Sequence, residues 1–299
     1  MVKKGQIISI EPIEYGGDVY NLHVQDNHNY FAEGINVSNC HQFKAQSLIS
    51  IMEKLTNIQY RIGTTGSLSD SKVNTLVLEG LFGKVKNVTT TNELQESGKL
   101  SKLLITSIIL KYSDEERKQY NTLEYKDEVQ FLIGHSKRNN FISNLAAKSS
   151  GNTLVLFQMV EKHGKPLYDL IKSKVGPNRN VYFIHGKTPT DEREQIRHSM
   201  ATQDNAIIVA SFGVYSTGVN VPSIENIIFA SPTKSRVRNL QSIGRGLRLN
   251  KGKTHCNLYD ITDNLQWKSR KNHALKHGAE RYKLYVEQKF PVKIVEVLL

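Results

Sequence analysis

Short apolar segments alternate with helix-forming segments from residue 102 onward, and this alternation limits the fold more than any other feature. Apolar runs predict strands at 102–110, 153–157, 181–185, 206–210, 226–230 and 256–259. Helices are predicted at 162–175 and from Thr190, where Asp191 and Glu192 stand in the first turn and favour the helix dipole. Uniformly apolar strands separated by helices favour a parallel sheet that is covered on both faces. This half of the chain therefore predicts an α/β fold.

The composition is ordinary for a globular protein but strongly basic. The 299 residues are 38% hydrophobic, which allows one large or two medium domains, and the formal net charge is +12. This charge favours a polyanionic partner, although a solvated basic surface would give the same excess. Cys40 and Cys256 are too few for a disulfide framework and predict a reducing cytoplasm. No apolar run reaches transmembrane length, so no membrane partner is expected.

The pair Asn39-Cys40 divides the sequence into two parts of different character. An Asn side-chain amide can attack its own backbone carbonyl, which forms a succinimide and cleaves the following peptide bond. A Cys thiolate is a strong nucleophile and can carry an acyl group as a thioester. The pair alone is a weak signal, and its meaning depends on the residues before it.

Residues 19–37 alternate apolar and polar side chains, as two strands with a polar turn between them would. This pattern, followed by Asn39-Cys40, resembles the C-terminal end of inteins, although Ser38 stands where inteins usually carry His and Asn21 stands where Asp is common. The resemblance implies that His28 assists cyclisation of Asn39 as a general acid or base. By itself, His28 would be interpreted as an ordinary turn histidine.

Residues 1–39 contain too few strands to close a core of their own, and no first-residue nucleophile precedes them. The intein resemblance therefore implies the C-terminal fragment of a split intein, with a short β-rich fold of the HINT type. Its partner would be a second chain that carries the N-terminal part of the intein.

Helical spacing replaces the strand pattern after Cys40. Apolar side chains recur at helical spacing over 43–55, and 58–63 predicts a short buried strand that leads into Thr64-Thr65-Gly66-Ser67. A turn of small residues at the end of a strand is where open α/β sheets bind ligands, although most such turns are only turns. Residues 87–99 are polar and show no convincing secondary structure.

The segment 241–248 is the most specific feature of the second half. On a helix, Gln241, Arg245 and Arg248 are spaced i, i+4 and i+7 and project from one face. Two guanidinium groups on one face can bind a polyphosphate and neutralise charge on a departing γ-phosphate, whereas an exposed helical Arg is usually only solvated. Gly244 and Gly246 favour the first interpretation, because Gly is unfavourable in a helix without a packing or close-approach requirement.

Other short motifs accompany this segment, and together they resemble superfamily 2 helicases. They are Thr65-Gly66-Ser67, Ile184-His185-Gly186 and Ser216-Thr217-Gly218-Val219-Asn220-Val221-Pro222. The resemblance implies that Thr65, Gly66 and Ser67 couple the ATP state to nucleic acid. It also implies that His185, Gly186, Thr217 and Gly218 contact the nucleic-acid backbone. Taken singly, Thr217 and His185 would be ordinary polar residues at strand edges.

The same resemblance assigns the nucleotide site. Gln241, Gly244 and Asn220 would lie near the nucleotide, Arg245 and Arg248 would contact its phosphates, and ATP with Mg²⁺ would be the cofactors. In this family an Asp-Glu-x-His box orients Mg²⁺ and the attacking water. Here Cys40-His41 would supply its last two residues, and His41 would link the phosphate site to Gln241. No Gly-x-x-x-x-Gly-Lys-Thr/Ser phosphate loop occurs, so this chain alone is not expected to hydrolyse ATP.

The predicted organisation has four parts. Residues 1–39 are the intein fragment, 40–101 a remnant of the first RecA-like lobe, 102–265 the RecA-like parallel-sheet domain of the helicase C-terminal lobe, and 266–299 a basic tail. Basic residues of this tail would extend the nucleic-acid contact or form a solvated helix face; they include Lys268, Arg270, Lys271, Lys276, Arg281 and Lys283.

The function implied by the resemblance is that of a precursor. Splicing at Cys40 would join this chain to an N-terminal helicase half that carries the phosphate loop. The product would be an ATP-dependent DNA helicase similar to the recombination and branch-migration helicases of phages, acting on branched DNA or RNA–DNA hybrids in the host cytoplasm. The alternative is an inactive nucleic-acid-binding fragment that does not splice. A neighbouring reading frame ending in Asp-Glu and an N-intein would favour the first hypothesis.

Overall fold

The computed structural model describes residues 29–32, 35–38, 49–50, 52–54, 72–86, 89–177, 179–217, 224–231, 243–244, 247 and 253–299. The chain divides into two compact units, Met1–Asn87 and Val88–Leu299. Each unit is described by itself below.

The first unit contains an antiparallel hairpin and a helix. Strands β1 (Asn29–Ala32) and β2 (Ile35–Ser38) pair in the register Asn29↔Ser38 to Ala32↔Ile35, so only two residues connect them. Helix α1 spans Lys72–Phe82. The strand pattern before Asn29 and the predicted strand at 58–63 lie outside the described residues.

The second unit is built on a seven-stranded sheet. The strand order is β5-β6-β4-β7-β8-β3-β9, and every neighbouring pair is parallel. The strands are β3 (Lys102–Lys111), β4 (Thr153–Phe157), β5 (Val181–Ile184), β6 (Ile207–Ser211), β7 (Asn226–Phe229), β8 (His255–Asn264) and β9 (Val292–Leu298).

Eight described α-helices and one π-helical turn accompany this sheet within the second unit. The helices are α2 (Thr91–Glu96), α3 (Asp114–Tyr120), α4 (Tyr125–Gly134), α5 (Ser136–Lys148), α6 (Lys165–Lys174), α7 (Thr190–Thr202), α8 (Phe212–Thr217) and α9 (His273–Glu287). The π-helical turn, Val160–Gly164, leads directly into α6.

Side chains that alternate along the strands pack into two separate apolar cores, one on each face of the sheet. On β8, Cys256 and Leu258 belong to one core, which also contains side chains from α7 and α9. Ile261 belongs to the other, which α4, α5 and α6 cover. All five residues of β4 are buried. Burial on both faces explains why most positions of the central strands β4, β6 and β7 are apolar.

The strand predictions agree closely with the structure. The predicted strand 153–157 coincides with β4, and the strand at 256–259 extends to become β8. The predicted helix 162–175 appears as the π-helical turn followed by α6, and α7 begins at Thr190 as predicted. These elements confirm the α/β prediction.

One prediction of absent structure was wrong. The polar stretch 87–99 contains helix α2, and Thr90 caps its start. Thr90 Oγ1 accepts a hydrogen bond from Glu93 N at 3.2 Å, while Glu93 Oε2 accepts from Thr90 N at 2.8 Å. This capping box satisfies two otherwise unpaired amides and offsets the helix's lack of buried side chains.

The segment 266–299 is part of the α/β unit and not a separate tail. Helix α9 packs on β8, and β9 extends the sheet beside β3. Arg281 is only 2% exposed and donates to Asp260, so it belongs neither to a nucleic-acid contact nor to a solvated face. Lys276 and Lys283 are exposed on the same helix.

Candidate functional site

The carboxyl ends of β4, β5, β6 and β7 lie along one edge of the sheet, because all these strands are parallel. From β4 the chain first builds β5 and β6 on one side and then crosses to β7 on the other. Such a switch point opens a crevice outside the strand ends, where open α/β sheets bind ligands. The structure thus places the candidate site at the ends of β4 and β7 and of the strands beside them.

His185 and Gly186 lie in a tight turn directly after β5. His185 N donates to Thr188 Oγ1 at 3.0 Å, Thr188 N donates to His185 O at 3.0 Å, and Lys187 N donates to His185 Nδ1 at 3.3 Å. Because Nδ1 accepts a hydrogen bond, the neutral ring carries its proton on Nε2. Gly186 is exposed, with no neighbouring atom within 4 Å of a Cβ built there. The turn leaves its backbone open to close approach.

The ring of His185 packs against an aromatic stack formed by Phe157 and Phe183. The rings of Phe157 and Phe183 lie 5.5 Å apart, and Phe183 lies 5.2 Å from the His185 ring. A Cβ at Gly164 would collide with the Phe157 ring. Glycine is therefore required in the π-helical turn, where the backbone packs directly on the stack that positions His185.

A buried His–Ser pair spans the switch point between β4 and β7. His163 Nδ1 lies 2.9 Å from Ser231 Oγ, and Gln158 N donates to the same oxygen at 3.2 Å. Burial, together with the positive charge of Arg138, lowers the pKa of His163 to about 3. His163 is therefore neutral near pH 7. Its Nε2 has no hydrogen-bond partner among the described residues.

Arg138 forms a second buried polar group beside this pair. Its Nε donates to Asp263 Oδ1 at 2.7 Å, and its Nη2 donates to Ala230 O at 2.7 Å; Tyr112 OH donates to Asp263 Oδ1 at 2.8 Å. Burial opposes the charge, but Asp263 and Tyr112 together outweigh burial and raise the pKa of Arg138. The group fastens α5 to the ends of β3, β7 and β8.

Sequence analysis missed both polar groups. A buried Arg in a helix has the same local sequence context as an exposed one, and the contact between His163 and Ser231 joins residues far apart in the chain. The available signal was weak: Ser231 and Asp263 each stand at or just beyond the carboxyl end of an apolar strand.

The structure describes three residues of the glutamine–arginine segment, which spans 241–248: Ile243, Gly244 and Leu247. Leu247 N donates to Ile243 O at 3.1 Å, which closes one helical turn, and Ser101 N donates to Leu247 O at 2.9 Å. Ile243 and Leu247 are buried in the core that contains Leu103 and Cys256. A Cβ at Gly244 would meet no atom within 4 Å. Packing within the described residues therefore does not require this glycine, and open space beside it fits the approach of a ligand.

The remaining predicted site residues lie outside the described residues. They are His28, Asn39, Cys40, His41, Thr65, Gly66, Ser67, Gly218, Asn220, Gln241, Arg245 and Arg248. Thr217 ends helix α8, but its side chain is not described. Their roles stay predictions.

Other chemistry is sparse in the described part of the chain. No group of three or more His, Cys, Asp or Glu side chains there is placed to hold a metal ion. Burial raises the pKa of the Cys256 thiol to about 12, so this thiol stays protonated and unreactive. Within the same residues, no helix combines the length and apolarity needed to cross a membrane.

The described part of the second unit is an α/β domain with an all-parallel sheet, and it resembles the C-terminal domain of helicases. Residues 136–250 match the family described as Helicase conserved C-terminal domain. This range begins at the start of α5 and ends two residues after the glutamine–arginine segment.

Individual relatives give a narrower likeness. The chain is 35% identical over 264 residues to the ATP-dependent DNA helicase uvsW of Enterobacteria phage T4, which covers 84% of this chain and 52% of the relative. It is 30% identical over 141 residues to the putative ATP-dependent helicase IRC3 of Saccharomyces cerevisiae, which covers 47% and 19%. The chain thus spans about half the length of the phage relative.

Solved structures agree with this likeness. The crystal structure of T4 UvsW matches with a TM-score of 0.58 at 31% identity, over 88% of this chain and 53% of that chain. A fragment of a putative HsdR subunit of a type I restriction enzyme from Vibrio vulnificus matches with a TM-score of 0.63 at 15% identity, over 88% and 47%. The second match concerns the fold alone.

Proposed function

We propose that this chain is the C-terminal part of an ATP-dependent superfamily 2 DNA helicase that resembles UvsW. The observation that carries the proposal is the all-parallel sheet, in which the part from β4 to β7 lies within the range 136–250 that matches the helicase C-terminal family. The identity with the phage helicase over most of this chain supports an ATP-dependent DNA helicase. In this proposal the helicase acts in recombination and repair, through branch migration or unwinding of RNA–DNA hybrids. In this proposal residues 40–101 are the remnant of the first RecA-like lobe.

The nucleotide would bind beside the segment that contains Gly244. Ile243 and Leu247 anchor that segment in the core, and the open space at Gly244 would admit a phosphate close to the backbone. Gln241 and Asn220 would contact the nucleotide, and Arg245 and Arg248 would stabilise negative charge on its phosphates. ATP with Mg²⁺ supplies the phosphoryl-transfer chemistry when bound.

In this proposal the phosphate loop belongs to the N-terminal helicase half that is joined to this chain. His41 would complete an Asp-Glu-Cys-His box, and Thr65, Gly66 and Ser67 would couple the nucleotide state to nucleic acid. His185, Gly186, Thr217 and Gly218 would contact backbone phosphates, which gives affinity without sequence preference. The exposed backbone of the β5 turn supports this role for Gly186.

The test uses the enzyme that results when this chain is joined to its N-terminal half. Arg245→Ala and Arg248→Ala should each lower DNA-stimulated ATPase turnover by about 10³ to 10⁵, the usual effect of losing an arginine finger. Arg197→Ala is the matched control, because Arg197 lies on the surface of α7 and, among the described residues, pairs with Glu194. Near-normal turnover in both site variants would refute the assignment.

A second activity, protein splicing by residues 1–39, rests on the resemblance of residues 19–40 to intein ends, which implies two strands joined by a turn. The antiparallel pairing of β1 with β2, from Asn29↔Ser38 to Ala32↔Ile35, is compatible with it. In this proposal His28 transfers a proton during cyclisation of Asn39, as the resemblance implies. Attack of the Asn39 amide on its own carbonyl would break the bond to Cys40, after the Cys40 thiol has accepted the upstream acyl group.

Mass spectrometry of the chain mixed with its N-terminal partner tests splicing. Loss of residues 1–39 and a larger ligated product are expected. Cys40→Ala should prevent ligation, Asn39→Ala should stop at a branched intermediate, and His28→Ala should slow cyclisation. Unchanged ligation in either of the first two variants would refute the splicing assignment, whereas no ligation by the wild-type chain would favour the alternative, a nucleic-acid-binding fragment that does not splice.

A further inference from the structure

The loop between β8 and α9 carries a basic turn. Its cations belong to the basic segment for which the sequence left open a nucleic-acid contact or a solvated face. Trp267 and Arg270 exchange two backbone hydrogen bonds, of 3.1 and 3.3 Å, and so close a four-residue turn. Lys268, inside the turn, has φ 51°, in the left-handed region that favours glycine. Lys268, Ser269, Arg270 and the following Lys271 are all exposed. Three cations and a hydroxyl group therefore stand together on one short turn.

The base of this loop is rigid. Asn272 is buried; its Oδ1 accepts from Leu265 N at 3.0 Å and its Nδ2 donates to Asp263 O at 3.1 Å, which ties the two ends of the loop together. Arg117 holds the turn from the side, with its Cζ 5.9 Å from the centroid of the Trp267 ring. The exposed cations are thus presented by a preorganised base, so that little ordering entropy opposes binding.

Neighbouring acids are engaged elsewhere. Buried Glu128 accepts hydrogen bonds from Asn272 Nδ2, His273 N and Ala274 N at 2.6 to 2.9 Å. Asp263 is paired with Arg138, and Asp114 with Arg117. Among the described residues no carboxylate forms an ion pair with Lys268, Arg270 or Lys271, although Arg270 Nη2 donates to Thr122 O. The positive charge of the turn is available to a partner.

The turn also lies at a suitable place in the fold. It follows the carboxyl end of β8, and so lies on the same edge of the parallel sheet as the turn of His185 and Gly186. A partner bound along that edge can reach both turns. Lysine, arginine and serine side chains on a rigid loop suit phosphate oxygens, which are bound without regard to base sequence.

We propose that the turn formed by Trp267, Lys268, Ser269 and Arg270, with Lys271, binds the sugar–phosphate backbone of nucleic acid. Lys268, Arg270 and Lys271 supply the charge, and Trp267 fixes the base of the turn. The choice of nucleic acid as the partner rests on the proposed helicase function. The site itself lies outside the family match at 136–250 and outside every motif that resembles the helicases.

Trp267 makes the test local, because it is the only tryptophan among the 299 residues. The full unspliced chain is titrated with a thymidine oligonucleotide, which does not fluoresce, while Trp267 emission and affinity are recorded over a range of salt concentrations. Emission should change on binding. Each lysine contact to a single strand contributes about 0.7 to the slope of log affinity against log salt, so Lys268→Ala/Lys271→Ala should lower the slope by about 1.4. At 0.1 M salt this corresponds to about 25-fold weaker binding.

The matched control is Lys99→Ala/Lys148→Ala. These lysines are equally exposed, but they precede β3 and β4 and so lie at the amino edge of the sheet. The slope should be unchanged. Lys268→Gly removes the cation while relieving the left-handed backbone, so weaker binding by a protein of normal or higher stability would separate charge from folding.

Two outcomes would overturn the proposal. One is an equal loss of slope in the two double variants. The other is a Trp267 response to polyglutamate but not to the oligonucleotide, which would indicate an acidic protein partner. Failure of the helicase proposal gives a different result: the ligated enzyme lacks DNA-stimulated ATPase activity, while the Trp267 response and its salt slope persist.

Discussion

Two Asp–Arg–Tyr clusters lie on opposite faces of strand β8, and they differ in how many elements they join. Asp263 accepts from Arg138 Nε at 2.7 Å and from Tyr112 OH at 2.8 Å. Asp260 forms the second cluster, with Arg281 Nη2 at 2.7 Å and Tyr285 OH at 2.9 Å. The chemistry is the same in both: burial first, and the aspartate charge second, raise the pKa of each tyrosine.

The surroundings of the two arginines differ. Arg281 directs its Nη2 to Ile261 O and Thr262 Oγ1, so its cluster joins α9 to a single strand. Arg138 directs its Nη2 to Ala230 O, at the end of β7, and its Nη1 has no partner among the described residues. The Arg138 cluster therefore fastens several strand ends beside the candidate site, whereas the Arg281 cluster attaches the C-terminal helix. Buried ion pairs of equal geometry can serve different parts of a fold.

Removal of one acid should have the largest effect on stability. Asp263→Ala and Asp260→Ala each leave a buried arginine unpaired, which costs about 3 to 5 kcal/mol in the free energy of unfolding. Urea denaturation of the full chain measures this loss. Glu194→Ala is the control, because it breaks the exposed pair with Arg197 and should cost at most about 1 kcal/mol.

Replacing both members of each Asp–Arg pair with leucine tests whether the two clusters contribute equally to stability. Asp260→Leu/Arg281→Leu should recover much of the loss seen in Asp260→Ala, since apolar residues often replace a buried pair at little cost. Asp263→Leu/Arg138→Leu should recover less, because Ala230 O would lose a donor that ties α5 to β7. If the two double variants recover the same free energy of unfolding, the two clusters contribute to stability in the same way.

A substitution at Gly278 tests how closely α9 packs on the face of β8 that carries Asp260 and Thr262. A Cβ at Gly278 would lie 2.5 Å from Thr262 Cγ2, so Gly278→Ala should destabilise the protein by about 1 to 3 kcal/mol through overpacking. Gly134→Ala, at the end of α4, is the control, because no atom lies within 4 Å of its built Cβ. That control should be neutral or slightly stabilising. A neutral Gly278→Ala would mean that α9 can move away from β8.

The contrast between the clusters also shows what sequence could predict. The apolar runs predicted the strands, because a strand buried on both faces must be apolar throughout, and β4 coincided with its prediction. The resemblance of 241–248 to a helicase motif agrees with the family match and with buried Ile243 and Leu247. These features are local in sequence, or are read from spacing alone.

Long-range polar contacts could not be predicted in the same way. Arg281 was grouped with exposed basic residues because its neighbours Glu280, Tyr282 and Lys283 are those of a surface helix. Its partner Asp260 is 21 residues away and also buried, and only the fold brings the two charges together. The pairing of His163 with Ser231, 68 residues apart, was missed for the same reason. Helix α2 was missed because a capping box, and not an apolar face, defines it.

Mild acid should lower the stability of the protein through His163, which is buried near Arg138. Unfolded His163 takes up a proton below its ordinary pKa of 6.5, whereas folded His163 does so only near 3. The stabilising contribution is therefore complete above pH 6.5 and declines as the pH falls toward 3. At pH 5.5 the loss is about 1.4 kcal/mol. Stability measured from pH 7.5 to 5 should fall less steeply in His163→Gln, whereas His198→Gln, on the exposed side of α7, should keep the wild-type slope.

Gly244→Ala should have the smallest effect on stability, and so it separates folding from function. Gly244 is exposed in a helical turn, and no described atom lies within 4 Å of a Cβ placed there, so alanine should be neutral or stabilise the helix by up to about 1 kcal/mol. This contrasts with Gly278, where the same added methyl group meets Thr262. If a nucleotide approaches the backbone at Gly244, the methyl group will weaken ATP binding in the joined enzyme although the protein stays fully stable. We expect a higher KM for ATP together with an unchanged urea midpoint. An unchanged KM would mean that the open space beside Gly244 is solvent, and that the nucleotide contacts come from the neighbouring side chains alone.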